Sequence, residues 1–176
     1  MANYRRNFIP GGIYFFTVNL AVRSERLLIE HIEILRAAFR AVRRDHPFSI
    51  DAIAVLPDHL HAVWTLPQGD CDYALRWRLI KTNFSRALAS GERRSSSRLS
   101  KGERGIWQRR YWEHTIRDER DFERHVDYIH FNPVKHGHAK QAQDWPYSSF
   151  QHYVRLGRYP VNWAWADEGD KGSFGE

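Results

Sequence analysis

The order in which hydrophobic periodicities alternate along the chain is the tightest constraint on its fold. Ile13-Tyr14-Phe15-Phe16-Thr17-Val18-Asn19-Leu20 is β-branched and aromatic and follows Gly11-Gly12, so it reads as a strand after a turn. Residues 29–45 place Ile32, Leu35, Ala38, Phe39 and Val42 at helical spacing, with Arg36, Arg40, Arg43 and Arg44 turned mostly outward and Pro47 beyond the end. Residues 50–56 and 60–66 are two more strand-like runs, broken by Pro57-Asp58. Residues 72–89 return to helical spacing through Leu75, Leu79, Phe84 and Leu88. Residues 90–105, rich in Gly, Ser, Arg and Lys, read as a mobile loop, and residues 106–116 as a fourth strand. Asp118 caps a helix expected to run to about Phe131, where Pro133 stops it, and residues 141–156 suit a further short helix. The succession is β-α-β-β-α-β and then helices. It predicts an α+β, ferredoxin-like fold: a four-stranded antiparallel sheet with two helices on one face and additional C-terminal helices. The other face is left open for a site or for the extra helices.

The chain's 176 residues suit one domain over residues 1–166, with an acidic, Gly-containing tail at 167–176 expected to be disordered. A full βα barrel, typically ~250 residues, is too large to fit. There is no apolar run of membrane-spanning length and no signal-peptide pattern at Met1-Ala2-Asn3-Tyr4-Arg5-Arg6, so a cytoplasmic location is expected. The single cysteine, Cys71, excludes an intramolecular disulfide and a Cys-rich zinc site. The net charge of +6 is unevenly spread. Residues 76–117 hold twelve basic and three acidic side chains, +9 net, which leaves −3 for the remainder. A local basic block of that kind fits a polyanion such as nucleic acid, or a merely solvated face.

Two patterns carry chemistry. In His59-Leu60-His61 the histidines are two apart on a strand, so both point to the face opposite Leu60, Ala62, Trp64 and Leu66. Side-by-side imidazoles suit one divalent metal ion, and the same pattern also suits two ordinary surface histidines. On the helix after Asp118, Phe122, Val126 and Ile129 form an apolar stripe, and Asp121, His125, Tyr128 and Asn132 form a second stripe about 100° away. Tyr128 offers a hydroxyl nucleophile and Asn132 a neutral oxygen ligand; His125, one turn earlier, is within reach of the hydroxyl. The alternative is a partly buried tyrosine whose hydroxyl is satisfied.

Taken together, Leu56-Pro57-Asp58-His59-Leu60-His61, Trp107-Gln108-Arg109-Arg110-Tyr111-Trp112-Glu113-His114 and the run from Tyr128 through Asn132-Pro133-Val134-Lys135-His136-Gly137 are far more specific than their parts. This combination resembles the REP-associated tyrosine transposases, relatives of the IS200/IS605-type single-tyrosine transposases among the HUH endonucleases. Trp145-Pro146-Tyr147-Ser148-Ser149-Phe150 also looks like their C-terminal part, and the resemblance spans about residues 4–155. It implies that His59, His61 and Asn132 hold a divalent ion, Mg²⁺ or Mn²⁺, and that Tyr128 is the catalytic nucleophile. It further implies cutting and rejoining of single-stranded DNA beside a hairpin of a repetitive extragenic palindrome, through a 5′-phosphotyrosine bond. Arg5, Arg6, Lys81, Arg86, Arg109 and Arg110 are the expected phosphate contacts, and either a monomer or a homodimer is compatible. The alternative from another class is a non-catalytic module for single-stranded or hairpin nucleic acid, which needs the basic block but not the HxH and tyrosine constellation.

Overall fold

The computed structural model of the chain describes residues 6–164; Arg5, the end of the expected domain at 166 and the tail 167–176 lie outside them. Four strands, β1 (Ile13–Asn19), β2 (Ser49–Val55), β3 (His59–Thr65) and β4 (Trp112–Thr115), form one sheet in the order β2-β3-β1-β4, every neighbouring pair antiparallel. With the intervening helices this is the ferredoxin-like arrangement expected from the sequence. Among the described residues no helix is long and apolar enough to cross a membrane.

Period-2 alternation sorts β1 and β3 into two faces. Tyr14, Phe16 and Val18 with Leu60, Ala62 and Trp64 face α2 (Ile32–Asp45) and α3 (Tyr73–Ala87), and Trp64 stacks on Trp77 of α3 with ring centroids 4.2 Å apart. The opposite face is not open. Phe15, Ala52, Ala54 and Val63 pack against Val126, Tyr128 and Ile129 of α5 (Glu119–Lys135). Both stripes of that helix are apolar enough, through Val126, Ile129 and the Tyr128 ring, to cover the sheet. The two central strands are therefore covered on both sides, and Thr17, Asn19, His59 and His61 are buried with them.

Several local expectations are corrected. The helix expected to stop near Phe131 continues to Lys135 with Pro133 inside it. Asn132 and Pro133 are both buried, and that packing outweighs the one backbone bond a proline cannot donate. The helix expected over 29–45 is split at His31 into α1 (Leu27–Glu30) and α2. The loop at 90–105 contains a short helix, α4 (Ser96–Ser100), and is fastened by Arg104, which donates to the carbonyls of Ser85, Leu88 and Ala89 and pairs with Glu92. The fourth strand is only four residues long, with a single bridge between Leu20 and Trp107 before it. The expected helix at 141–156 is a 3₁₀ turn at Ala142–Asp144 and a separate α6 (Phe150–Arg155). Between them the chain pairs with the β2 edge: Val55 N–H donates to the Tyr147 carbonyl and Ser149 N–H to the Ile53 carbonyl, both at 2.8 Å. That cover closes one edge of the sheet.

Arg76, counted in the basic block, is not a surface charge. Its guanidinium is buried and donates to the carbonyls of His46, Pro47 and Asp72 and to the Asp70 carboxylate. Arg76→Met keeps the bulk but strands three carbonyls and one carboxylate. We expect it to destabilise the fold by about 2–4 kcal/mol, read by denaturant unfolding, with unchanged secondary structure.

Candidate active site

The register of β1 against β3 puts Thr17 opposite His61 and Asn19 opposite His59. Directly opposed residues share a face, so these four polar side chains form one patch beneath α5. His59 and His61 are 1% and 0% exposed, and their rings lie 5.0 Å apart at 84°. His61 Nδ1 is 2.8 Å from Thr17 Oγ1, and His59 Nδ1 is 2.8 Å from Asp58 Oδ1. Burial pushes the Asp58 carboxyl up, but hydrogen bonds from His59 and Arg23 outweigh that and hold it well below the usual carboxylate range. An ionised carboxylate only accepts, so in the neutral imidazole the His59 proton is on Nδ1 and the lone pair on Nε2. His59 Nε2 is buried with no hydrogen-bond partner among the described residues, and so is Asn19 Oδ1.

Helix α5 supplies the other half. Tyr128 and Asn132, one turn apart, are buried at 1% and 0% exposure. The Tyr128 ring lies 5.2 Å from that of His61 and 6.1 Å from Phe15. Tyr128 thus meets His61 between β3 and α5, with His59 beside His61 and Asn132 one turn further along the helix, all four buried. Lys135 lies on the same stripe, at i+7 from Tyr128. Its Nζ donates to Tyr128 Oη at 3.3 Å and is 4.9 Å from the ring centroid, so the ammonium sits beside the oxygen rather than over the ring. His125 is turned toward Asp121. Its Nδ1 donates to the Asp121 carbonyl at 2.7 Å, its ring stacks on His114 at 4.6 Å, and burial pushes its pKa down to about 4.

Thr17, Asn19 and Arg23 escaped the sequence reading, and Asp58 and Lys135, though within the quoted motifs, were given no role. A signal existed for two of them: Thr17 and Asn19 are polar at i and i+2 in a strand otherwise apolar throughout. Lys135 was hidden by the expectation that Pro133 ends the helix.

A second set of donors lies at the N-terminal end of α5. His114, Asp121 and His125 each bring one ligand atom within 4.8 Å of the others, a cluster able to hold a metal ion. Here its carboxylate is engaged by protein donors: Asp121 Oδ2 accepts from His114 Nε2 at 2.8 Å, and from Arg117 Nε and backbone N–H at 3.2 and 3.1 Å.

The expected DNA contacts do not form one face. On the α3 side of the sheet, a cleft of about 680 Å³ is lined by Arg6, Lys81, Arg86, Arg109, Trp107 and Tyr111, among others. Arg6 lies 4.2 Å from the Tyr111 ring centroid and donates to its hydroxyl. Lys81 Nζ donates to the Gln108 carbonyl at 3.0 Å, and burial pushes its pKa down to about 8, with the nearby Arg6 charge adding to the shift. Arg86 is exposed. Arg109 is tied to Glu103 and Ser97, and Arg110 is exposed but outside the cleft lining.

No family model matches the chain. It is 49% identical over 164 residues to the REP-associated tyrosine transposase of Escherichia coli (strain K12), covering 93% of this chain and 92% of that protein. A relative from Haemophilus influenzae is 46% identical over 164 residues, 93% of each chain. A solved structure of a REP-associated tyrosine transposase bound to a REP hairpin is 48% identical, with a TM-score of 0.85 over 100% of this chain and 98% of that one. The fold and these likenesses define a protein of the transposase kind. The chain belongs to the REP-associated tyrosine transposases.

Asp121 ties β4 to the start of α5. Burial pushes its carboxyl up, and hydrogen bonds from His114 and Arg117 outweigh this and depress its pKa. A carboxylate with a depressed folded pKa contributes stability above its unfolded value, about 3.8, that is lost as pH falls through the folded one. Asp121→Asn is expected to lower the melting temperature at neutral pH, and the gap to the parent protein to narrow as pH drops below that value, measured by calorimetry.

Proposed function

We propose that the protein is a metal-dependent single-stranded DNA endonuclease and strand transferase, acting on repetitive extragenic palindromic hairpins through a covalent 5′-phosphotyrosine intermediate. The observation that carries this reading is Tyr128 packed against His61, at 5.2 Å between rings, in a layer shared with His59 and Asn132. The REP hairpin bound by the solved relative supports the choice of substrate.

His59, His61 and Asn132 would hold the divalent ion, Mg²⁺ or Mn²⁺. The donor set fits: Asp58 and Thr17 take the Nδ1 atoms, so coordination would go through the Nε2 atoms, and His59 Nε2 is a buried lone pair. A bound ion polarises the phosphate and offsets charge in the transition state.

The protein's own groups do the rest. Tyr128 Oη forms a bond to phosphorus as the bond to the 3′-oxygen breaks. The phenol loses one proton and the departing 3′-oxygen gains one, so the exchange is proton-neutral. One phosphodiester replaces another, and rejoining by reversal needs no ATP. Lys135 donates to Oη and stabilises the negative charge that develops there in either direction. With Tyr128 only 1% exposed and Lys135 exposed, the arriving phosphate meets the ammonium first, and α5 must uncover the phenol for attack.

The hairpin docks in the α3-side cleft on Arg6, Lys81 and Arg86, while Arg109 must exchange its protein partners for phosphate and Arg110 contacts the flanking backbone. Because the cleft and Tyr128 are on opposite faces, the single strand passes around the β4 edge, the β2 edge being covered. Tyr128 meets His61 within a single chain, which supports action as a monomer; the site of action is the cytoplasm, on nucleoid DNA.

The test is incubation with a hairpin-bearing single-stranded oligonucleotide and Mn²⁺, followed by a denaturing gel. The parent protein forms a covalent adduct. Tyr128→Phe binds the hairpin and forms none, and Lys135→Met forms it ~10–100-fold more slowly. Hairpin binding without any cleavage by the parent protein would instead make this a non-catalytic binding module.

Docking has its own signature. The Lys81 ammonium persists below its pKa of about 8 and is lost as pH rises through it. Hairpin affinity in fluorescence anisotropy should therefore fall above about pH 8, and Lys81→Arg should flatten that fall. Salt should weaken binding through counterion release.

A further inference from the structure

We propose that Asn19 is a further ligand of the active-site cation, contributing its side-chain oxygen beside His59. This rests on the preceding reading that the histidine pair holds a divalent ion.

Asn19 is the last residue of β1 and stands directly opposite His59. Its backbone is pinned from both sides. Gln108 N–H donates to the Asn19 carbonyl at 3.0 Å, and the next residue, Leu20, donates its N–H to the Asp58 carbonyl at 2.8 Å. Strand alternation puts the Asn19 side chain on the α5 face with Thr17 and Phe15, not in the core beneath α3. The side chain is 7% exposed, and its Oδ1 has no hydrogen-bond partner among the described residues. A buried carbonyl left in that state is destabilising, a cost that a valine or leucine at the same place would avoid.

The polarity of its neighbour decides what completes it. His59 Nδ1 faces the Asp58 carboxylate at 2.8 Å, so in the neutral imidazole the proton lies on Nδ1 and the buried Nε2 is the lone-pair atom. Oδ1 of Asn19 is also a lone-pair donor. Oδ1 and Nε2 cannot satisfy each other; an amide turned over to donate its NH₂ to Nε2 is the purely protein alternative, and it predicts unchanged Mn²⁺ affinity in Asn19→Leu. A cation satisfies both, and an amide oxygen is a hard ligand of the kind that Mg²⁺ and Mn²⁺ take. A water molecule, which can donate two hydrogen bonds, is the competing occupant.

Mn²⁺ titration of the intact, DNA-free protein, followed by calorimetry and electron paramagnetic resonance, separates the two. Asn19→Leu is expected to weaken Mn²⁺ binding about 10–100-fold, with circular dichroism confirming the fold. Asn19→Asp keeps the oxygen and adds charge. It should bind Mn²⁺ more tightly than the parent protein, melt below it without metal, and recover on adding Mn²⁺. A water-bridging or purely structural asparagine gives no such gain. Mn²⁺ affinity unchanged in Asn19→Leu, or not increased in Asn19→Asp, overturns the assignment and leaves the histidine site intact. A parent protein that binds no Mn²⁺, or a His59→Ala variant that binds as tightly as the parent, overturns the metal reading itself and this inference with it.

Discussion

The register of β1 against β3 is the constraint on which the site depends. Side chains alternate with a period of two, so a slip of one residue would send His59 and His61 into the aromatic core under α3 and turn Trp64 toward α5. The fold resists that slip on both faces at once. Phe16 and Trp64 are locked into the layer that holds Trp77, while Phe15 and Val63 are locked beneath α5. An antiparallel sheet commonly packs one face on the core and leaves the other to solvent. Here two buried faces hold the strands, and the polar patch of Thr17, Asn19, His59 and His61 is a small interruption in otherwise apolar packing.

That interruption is costly, and the structure shows how the cost is partly offset. Each imidazole is oriented by a different neighbour, one a hydroxyl on the adjacent strand and one a carboxylate in the preceding turn. The Asp58 carboxylate is itself held by Arg23, so a buried histidine is backed by a chain of charge that reaches the surface. What this arrangement leaves unsatisfied is on the inner side, at His59 Nε2 and Asn19 Oδ1. A buried polar group without a partner is a candidate for completion by an ion or a water, because its desolvation is otherwise uncompensated.

The sequence made the elements legible because they rest on local periodicity. The alternation along Leu60-His61-Ala62-Val63-Trp64 separates two faces without knowledge of either neighbour, and the spacing of Tyr128 and Asn132 places them on one side of a helix. It was silent wherever the deciding partner is distant. Pro133 reads as a helix stop until its burial, and that of Asn132, is seen. Arg76 and Arg104 read as surface charge until their backbone carbonyl partners, 4 to 30 positions away, are known. The cover on the second sheet face was legible only as a possibility, since two stripes on α5 do not reveal which strands they meet.

Placing the basic cleft and the tyrosine on opposite faces gives the sheet a second use as a spacer. On the proposed docking, a strand leaving the hairpin must travel from the α3 side around β4 and across β1 to reach β3. Neighbouring strands are about 4.8 Å apart, so the lateral part of that path is fixed at about 10 Å by backbone hydrogen bonding rather than by any side chain. The distance from hairpin to scissile phosphate then becomes a property of the fold. β4 is short, at four residues, and among the described residues no strand pairs with its outer edge. A longer or covered β4 would leave every group of the proposed site in place and still block the route left open among the described residues, because the other edge is already occupied by the chain from Tyr147 to Ser149.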